Sequence, residues 1–132
     1  MSTTPQLSVV VPVHNEEDNV APLVGEIVTA LRGVIDFEIV YVDDTSKDAT
    51  LQRLHDLQAT VPELRVIRHL SNAGQSTAVR NGVKAARAPW IATLDGDGQN
   101  DPADIHKLLA QRDSAAADIK LFAGWRVNRQ DS

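Results

Sequence analysis

The segment Asp95-Gly96-Asp97-Gly98-Gln99 sets two carboxylates and an amide oxygen on alternate residues, with only glycine between them. Hard oxygen donors of this kind suit Mg²⁺ or Mn²⁺, ions usually shared with substrate phosphates. The segment follows an apolar run, Trp90-Ile91-Ala92-Thr93-Leu94, that reads as a buried strand. The donors therefore leave one strand end together, and a nucleoside diphosphate is the first ligand they suggest. Taken alone the motif is weak, because short acidic turns are commonly solvated loops. Two further polar groups follow apolar runs: His14-Asn15-Glu16 after Pro12-Val13, and Asp43-Asp44-Thr45-Ser46 after Val42. If the runs are parallel strands, Glu16, Asp43, Asp44, Asp95 and Asp97 crowd at one sheet edge. Such crowding is unfavourable unless a cation or hydrogen-bond donors compensate.

The elements that must position these residues are legible as alternating strands and helices. Leu7 to Val13 is a near-continuous β-branched run, the pattern of a strand buried on both faces. Val20, Leu23, Val24, Ile27, Val28 and Leu31 have helical spacing, with Pro22 acceptable only in the first turn. Phe37 to Val42 is a second strand, and Thr45-x-x-Asp48 reads as a capping box opening a helix through Leu51 and Leu54. Leu64 to Arg68 is a third strand. A helix from Ser76 to Ala88 turns Val79, Val83 and Ala86 inward, with Ser76 a candidate cap. After the strand Trp90 to Leu94, Asp101-Pro102-Ala103-Asp104 is a helix start carrying Ile105, Leu108 and Leu109, and Ile119 to Ala123 is a last strand. The alternation predicts an α/β fold, a doubly wound, mostly parallel sheet with its ligand site outside the carboxyl ends of the strands.

Each polar group has a functional and a structural reading. Pro12 to Glu17 is either a loop gripping a nucleoside through its backbone and Glu16, or an ordinary acidic helix start. His14 reads as a loop histidine. Of the aspartate pair, Asp44 is the expected ligand contact, accepting from a base N–H or a ribose hydroxyl, and Asp43 the expected support for loop amides. Gly74 permits a tight turn, and Arg80 is either a pyrophosphate contact or a surface charge. Arg126 and Arg129 stand three apart beyond the last strand, suited to a phosphate by forked hydrogen bonds or lying on a surface tail.

Composition narrows the classes. The chain has 132 residues, 42% of them hydrophobic, enough for one domain with a sizeable core. It has no cysteine, which excludes disulfides, thiolate metal sites and cysteine nucleophiles. A net charge of −5 without a long basic block argues against a nucleic-acid partner. Met1 to Gln6 lacks the basic start and apolar core of a leader, and Val9-Val10-Val11 is far short of the ~20 residues of a membrane helix. A cytoplasmic location is the expectation. A dinucleotide fold would need Gly-x-Gly-x-x-Gly where Pro-Val-His-Asn-Glu-Glu stands, and no Gly-Lys-Ser/Thr P-loop is present. An EF-hand starting at Asp95 fails at Asn100 and His106.

In order, the strings VVVPVHNEEDNV, VYVDDTSKDAT, LSNAGQSTAVRNGVKAA, LDGDGQNDP and GWRVNR resemble the family 2 glycosyltransferases. The likeness is greatest to the polyprenyl-phosphate branch that includes the dolichol-phosphate mannose synthases. The resemblance implies a Rossmann-like GT-A fold and an inverting transfer of a hexose from a nucleotide-diphosphate sugar, GDP-mannose or a UDP-hexose, to a polyprenyl phosphate. It implies that Pro12, Val13, His14, Glu16, Asp43, Asp44 and Asp95 bind the donor. Asp95, Asp97 and Gln99 would hold Mg²⁺ or Mn²⁺, Asp95 and Asp97 being the catalytic pair, and Arg126 and Arg129 would take the acceptor or donor phosphate. Three positions depart from the family pattern: Thr45 replaces a glycine, and Gly96 and Gly98 replace larger residues. If the family glycine takes a positive φ, a β-branched residue there is strained. The family also continues beyond the arginine motif, so the chain reads as the donor-binding part of a longer protein at the cytoplasmic face of a membrane. On that reading it would expose apolar surface and self-associate. The competing expectations are an inactive nucleotide-binding fragment and, less well matched, a nucleotidyltransferase.

Overall fold

The computed structural model describes residues 4–94 and the backbone of one further short strand, Leu121–Phe122. The elements are β1 Leu7–Val13, α1 Glu17–Leu31, β2 Phe37–Asp44, α2 Thr50–Gln58, β3 Leu64–His69, α3 Gln75–Ala85, β4 Trp90–Thr93 and β5 Leu121–Phe122. The helix expected from Asp101 lies outside the described residues. All four strand pairings are parallel, in the order β3-β2-β1-β4-β5. The sheet grows from β1 through β2 to β3, then reverses direction to β4 on the other side of β1. Right-handed crossovers then place α1 and α2 on one face and α3 on the other.

The packing follows that division. One core joins Val9, Val11, Ile39 and Tyr41 to Val20, Val24, Ile27 and Leu54. The other, beneath α3, joins Val10, Val40 and Val42 to Ala78. β1 and β2 are buried at every residue, as their apolar runs require.

Three helix readings need correction. Pro22 lies in the second turn of α1. It is tolerated there because Asp18 and Pro22 are both exposed, so the carbonyl that loses its amide partner is open to water. Thr45 opens no capping box: α2 begins at Thr50, and Asp48 Oδ1 accepts from Thr50 N at 2.9 Å. In α3 the inward residues are Ala78 and Gly82, with Val83 at the margin; the amino end is capped by Gly74, and Ser76 is exposed. Small residues are needed because the helix sits close on the sheet. A Cβ at Gly82 would overlap Val10 Cγ1 and lie 3.0 Å from Val42 Cγ2.

A buried acid at the amino end of β2 was not anticipated. Glu38 Oε2 accepts from Ser8 Oγ at 2.5 Å and Arg87 N at 2.7 Å, and Oε1 from Arg65 Nη1 at 2.8 Å and Arg87 Nε at 3.1 Å. Arg65 also donates to the Ala85 carbonyl at the end of α3, and Ala88 N donates to Ser8 Oγ. Burial opposes ionisation of Glu38, yet the bonds from Ser8, Arg87 N and Arg65 outweigh it and hold the carboxyl below its ordinary value.

Gly82→Ala tests the close approach. Alanine is the better helix former by about 1 kcal/mol, but the added methyl overpacks the Val10–Val42 surface at a cost of about 1–3 kcal/mol. The variant should unfold at lower denaturant than the parent in a urea titration followed by circular dichroism. An unchanged or higher midpoint would show that α3 does not sit this close.

Candidate functional site

The carboxyl edge of the sheet is built from loops after β1, β2 and β3. Pro12 falls where the β4 ladder has just ended, since β4 pairs only with Leu7 to Val10 and Leu94 N donates to the Val10 carbonyl. Residues two apart present their amides to the same side, so the N–H that Pro12 lacks would have faced β4. The proline therefore breaks no ladder bond and marks where β1 and β4 part. That gap is the topological switch point, where α/β sheets bind ligands.

The loops after β1 and β2 are zipped together. His14 Nδ1 donates to the Asp44 carbonyl at 2.7 Å, and Asn15 N to Ser46 Oγ at 2.8 Å. Lys47 N donates to Asn15 Oδ1 at 2.7 Å, and Glu16 N to Thr50 Oγ1 at 2.8 Å. Glu17 closes the zip, its N bonding Asp48 Oδ2 and its Oε1 accepting from Ala49 N. His14 is exposed and fixed as the Nδ1–H tautomer, with Asn15 Nδ2 3.3 Å from Nε2. The Glu16 carboxylate accepts from Asn19 Nδ2 at 2.7 Å.

Two residues of the zip take left-handed backbone, Asn15 at φ 56° and Thr45 at φ 57°. Asparagine tolerates this region, whereas a β-branched residue is strained there. Thr45 Oγ1 donates to the Asp44 carbonyl at 2.5 Å, the same oxygen that receives His14. The positive φ conditionally expected at Thr45 is thus present.

Asp43 and Asp44 are the last residues of β2, and as strand neighbours they face opposite sides of the sheet. Asp44 lies on the α3 side, where its Oδ1 accepts from His69 Nδ1 and Ala73 N and its Oδ2 from Gly74 N, each at 2.9 Å. Burial raises its proton affinity, but the Ala73 amide, His69 and the Gly74 amide outweigh that and hold the carboxyl below its ordinary value. Asp43 is fully buried on the α1–α2 side. Its Oδ1 accepts from Ser46 N at 3.3 Å, while Oδ2 has no hydrogen-bond partner and lies 3.9 Å from Arg68 Nε. Loop support, expected of Asp43, is carried mainly by Asp44.

Of the five acids expected to crowd this edge, Glu16, Asp43 and Asp44 are among the described residues, and the two aspartates face opposite sides of the sheet. Among the described residues no group of three acids or histidines could hold a metal. Asp95, Asp97, Gln99, Arg126 and Arg129 lie outside the described residues. Arg80 is exposed. His69 was not singled out by sequence. The rule that polar residues at strand ends build the site would have found His69 had β3 been read one residue further.

Two substitution and pH tests follow from this geometry. Thr45→Gly removes left-handed strain of about 1–2 kcal/mol against a backbone entropy cost of about 0.5–1 kcal/mol. Its thermal midpoint should equal or exceed the parent's, and a clear loss would show that Thr45 is not strained. The lowered carboxyls of Glu38, Asp44, Asp48 and Glu63 mean that the unfolded chain binds protons the folded one refuses. Stability should be fully present above the ordinary carboxylate range of about pH 4 and fall as pH drops through the lowered folded values. Urea midpoints that stay flat from pH 6 to about pH 3 would contradict these shifts.

The family model described as Glycosyl transferase family 2 matches residues 8–130. Dodecaprenyl-phosphate galacturonate synthase of Rhizobium johnstonii is 40% identical over 128 residues, an overlap of 96% of this chain and 37% of that protein. Dolichol-phosphate mannosyltransferase of Pyrococcus furiosus is 38% identical over 104 residues, 79% of this chain and 29% of that protein. The chain thus spans well under half the length of these relatives. The mannosyltransferase PcManGT of Pyrobaculum calidifontis, solved with GDP-Man and Mn²⁺, superposes with a TM-score of 0.64 at 23% identity, covering 73% of this chain and 28% of that one. That likeness concerns the fold, which is the expected GT-A arrangement of a mostly parallel sheet between helices. With the match running from β1 to residue 130, the chain belongs to glycosyl transferase family 2.

Proposed function

We propose that this chain is the donor-binding part of an inverting transferase that moves a hexose from a nucleotide-diphosphate sugar to a polyprenyl phosphate. The observation that carries the reading is unspent acceptor capacity at the end of β2. Asp43 Oδ2 is buried without a hydrogen-bond partner. Asp44 uses three of the roughly four lone-pair positions a carboxylate offers. An unpartnered buried acceptor costs about 1–3 kcal/mol, which a base N–H or ribose hydroxyl would offset. Pro12, Val13, His14 and Glu16 complete the nucleoside grip, and Asp95, next in sequence after Leu94, is assigned to the donor with them.

The oxygen donors Asp95, Asp97 and Gln99 suit Mg²⁺ or Mn²⁺ by their chemistry. They follow directly on Leu94, whose bond to Val10 brings β4 to the switch point. An ion bound there supplies neutralisation of the charge on the leaving diphosphate. Arg126 and Arg129 hold the acceptor phosphate by forked hydrogen bonds. A phosphate oxygen then attacks the anomeric carbon from the face opposite the diphosphate; the new C–O bond forms as the old one breaks, with inversion. The acceptor is already ionised near neutral pH, so no residue of this chain is needed as a general base. The polyprenyl-phosphate names of the relatives favour a lipid phosphate over a sugar hydroxyl.

Calorimetric titration with UDP and with GDP, each with and without Mn²⁺, tests the reading. One nucleotide should bind in a metal-dependent way, and Asp97→Asn should abolish the metal-dependent part. Asp44→Asn should weaken binding about tenfold by removing a charged acceptor. Failure of both nucleotides to bind with Mn²⁺ overturns the donor-site reading, and full metal-dependent affinity in Asp97→Asn overturns the ligand assignment.

A further inference from the structure

His69 ends β3 on the same face as Asp44 and has no part in the chemistry above. Its ring is nearly enclosed, with Nδ1 2.9 Å from Asp44 Oδ1 and Nε2 2.9 Å from Asn81 Nδ2 on α3. A carboxylate only accepts, so Nδ1 carries the hydrogen; Nε2 of the neutral ring then accepts from the Asn81 amide. Both nitrogens are engaged, and the ring is held in one tautomer and one orientation between a strand and a helix.

The backbone amides tie Asp44 to one element only. Ala73 N and Gly74 N, one on each oxygen, both approach from the start of α3. The third bond, from His69 on the neighbouring strand, comes from another direction and fastens the carboxylate to the sheet as well. We infer that His69, fixed by Asn81, is a positioning residue of the nucleotide site, holding Asp44 so that its remaining lone pair faces the incoming nucleoside. This rests on the nucleotide reading for its consequence, though not for its geometry.

Three substitutions in the full chain separate positioning from simple packing. His69→Ala removes the donor, His69→Asn puts an amide N–H where Nδ1 stood, and His69→Gln puts one nearer the Nε2 end. With UDP or GDP in Mn²⁺, His69→Ala should bind about tenfold more weakly. His69→Asn should return to within about twofold of the parent, and His69→Gln should not. Thermal midpoints should fall alike for the asparagine and glutamine variants, a pattern that a structural role alone would carry into affinity as well. Nitrogen-15 spectra of the parent should show His69 as the Nδ1–H tautomer. An Nε2–H tautomer, or parental affinity in His69→Ala, overturns the inference. If the parent binds neither nucleotide, the donor-site reading has failed, and amide exchange at Ala73 and Gly74 decides the positioning claim. Faster exchange in His69→Ala, restored in His69→Asn, upholds it, and unchanged exchange overturns it.

Discussion

Two buried carboxylates on β2 organise this molecule. Glu38 and Asp44 stand six residues apart on one face, separated by about 20 Å of strand. Neither charge has enough water, so protein donors must solvate each. The backbone donors among them come from the two ends of α3: Ala73 N and Gly74 N at its start reach Asp44, and Arg87 N just past its end reaches Glu38. Eleven helical residues span about 17 Å, close to the distance to be bridged. The helix is thereby pinned antiparallel over β2, and Gly82 lets it settle on Val10 and Val42. The Glu38 end is structural, its partners Arg65 and Arg87 half in solvent. The Asp44 end opens on the switch point, so the same electrostatic demand that fixes a helix also sets the floor of the site.

Opposite facing of the aspartate pair has a consequence for chemistry. Asp43 and Asp44 cannot converge on one ion from within the strand, whereas residues leaving a strand end through a glycine-spaced loop are under no such constraint. On the proposed reading, the β2 pair accepts hydrogen bonds from two sides of a ligand, and the cation falls to the oxygen donors that follow β4 in sequence.

Much of the architecture was legible because burial on both faces leaves an unmistakable mark. Val9-Val10-Val11 and Ile39-Val40-Tyr41-Val42 are too continuously apolar for a half-exposed strand, and the spacing from Val20 to Leu31 admits only one buried helix face. The inward stripe of α3 was misread because its signal is small size, not hydrophobicity. Ala78 and Gly82 are inside since the sheet is near, while Val79 and Ala86 lie to the side. The start of α2 was misread for a different reason. Thr45 and Asp48 have capping spacing, but their side chains were already committed, Thr45 to the Asp44 carbonyl and Asp48 to Thr50 and Glu17. Local motifs predict local bonds, and a neighbouring loop outbid them. Partners such as His14 with Asp44 or Asn15 with Ser46 lie about thirty positions apart, beyond the reach of any spacing rule.

The strain at Thr45 belongs to the same competition. A left-handed residue after Asp44 turns the chain sharply enough for Ser46 and Lys47 to meet Asn15, itself left-handed on the facing loop. Each contact is worth about 1 kcal/mol net, so several together exceed one strained residue. They also use up the polar groups that looked most available: the Asn15 amide, the Glu17 carboxylate and the Ser46 hydroxyl all serve the zip. What remains uncommitted at this edge is little, and for that reason informative. Among the described residues it includes one oxygen of Asp43, one lone pair of Asp44 and the gap beside Pro12, all within the span where β1 and β2 end. A site intended for a neutral apolar ligand has no use for buried anionic acceptors held open by three separate elements. A ligand bearing N–H or O–H donors does.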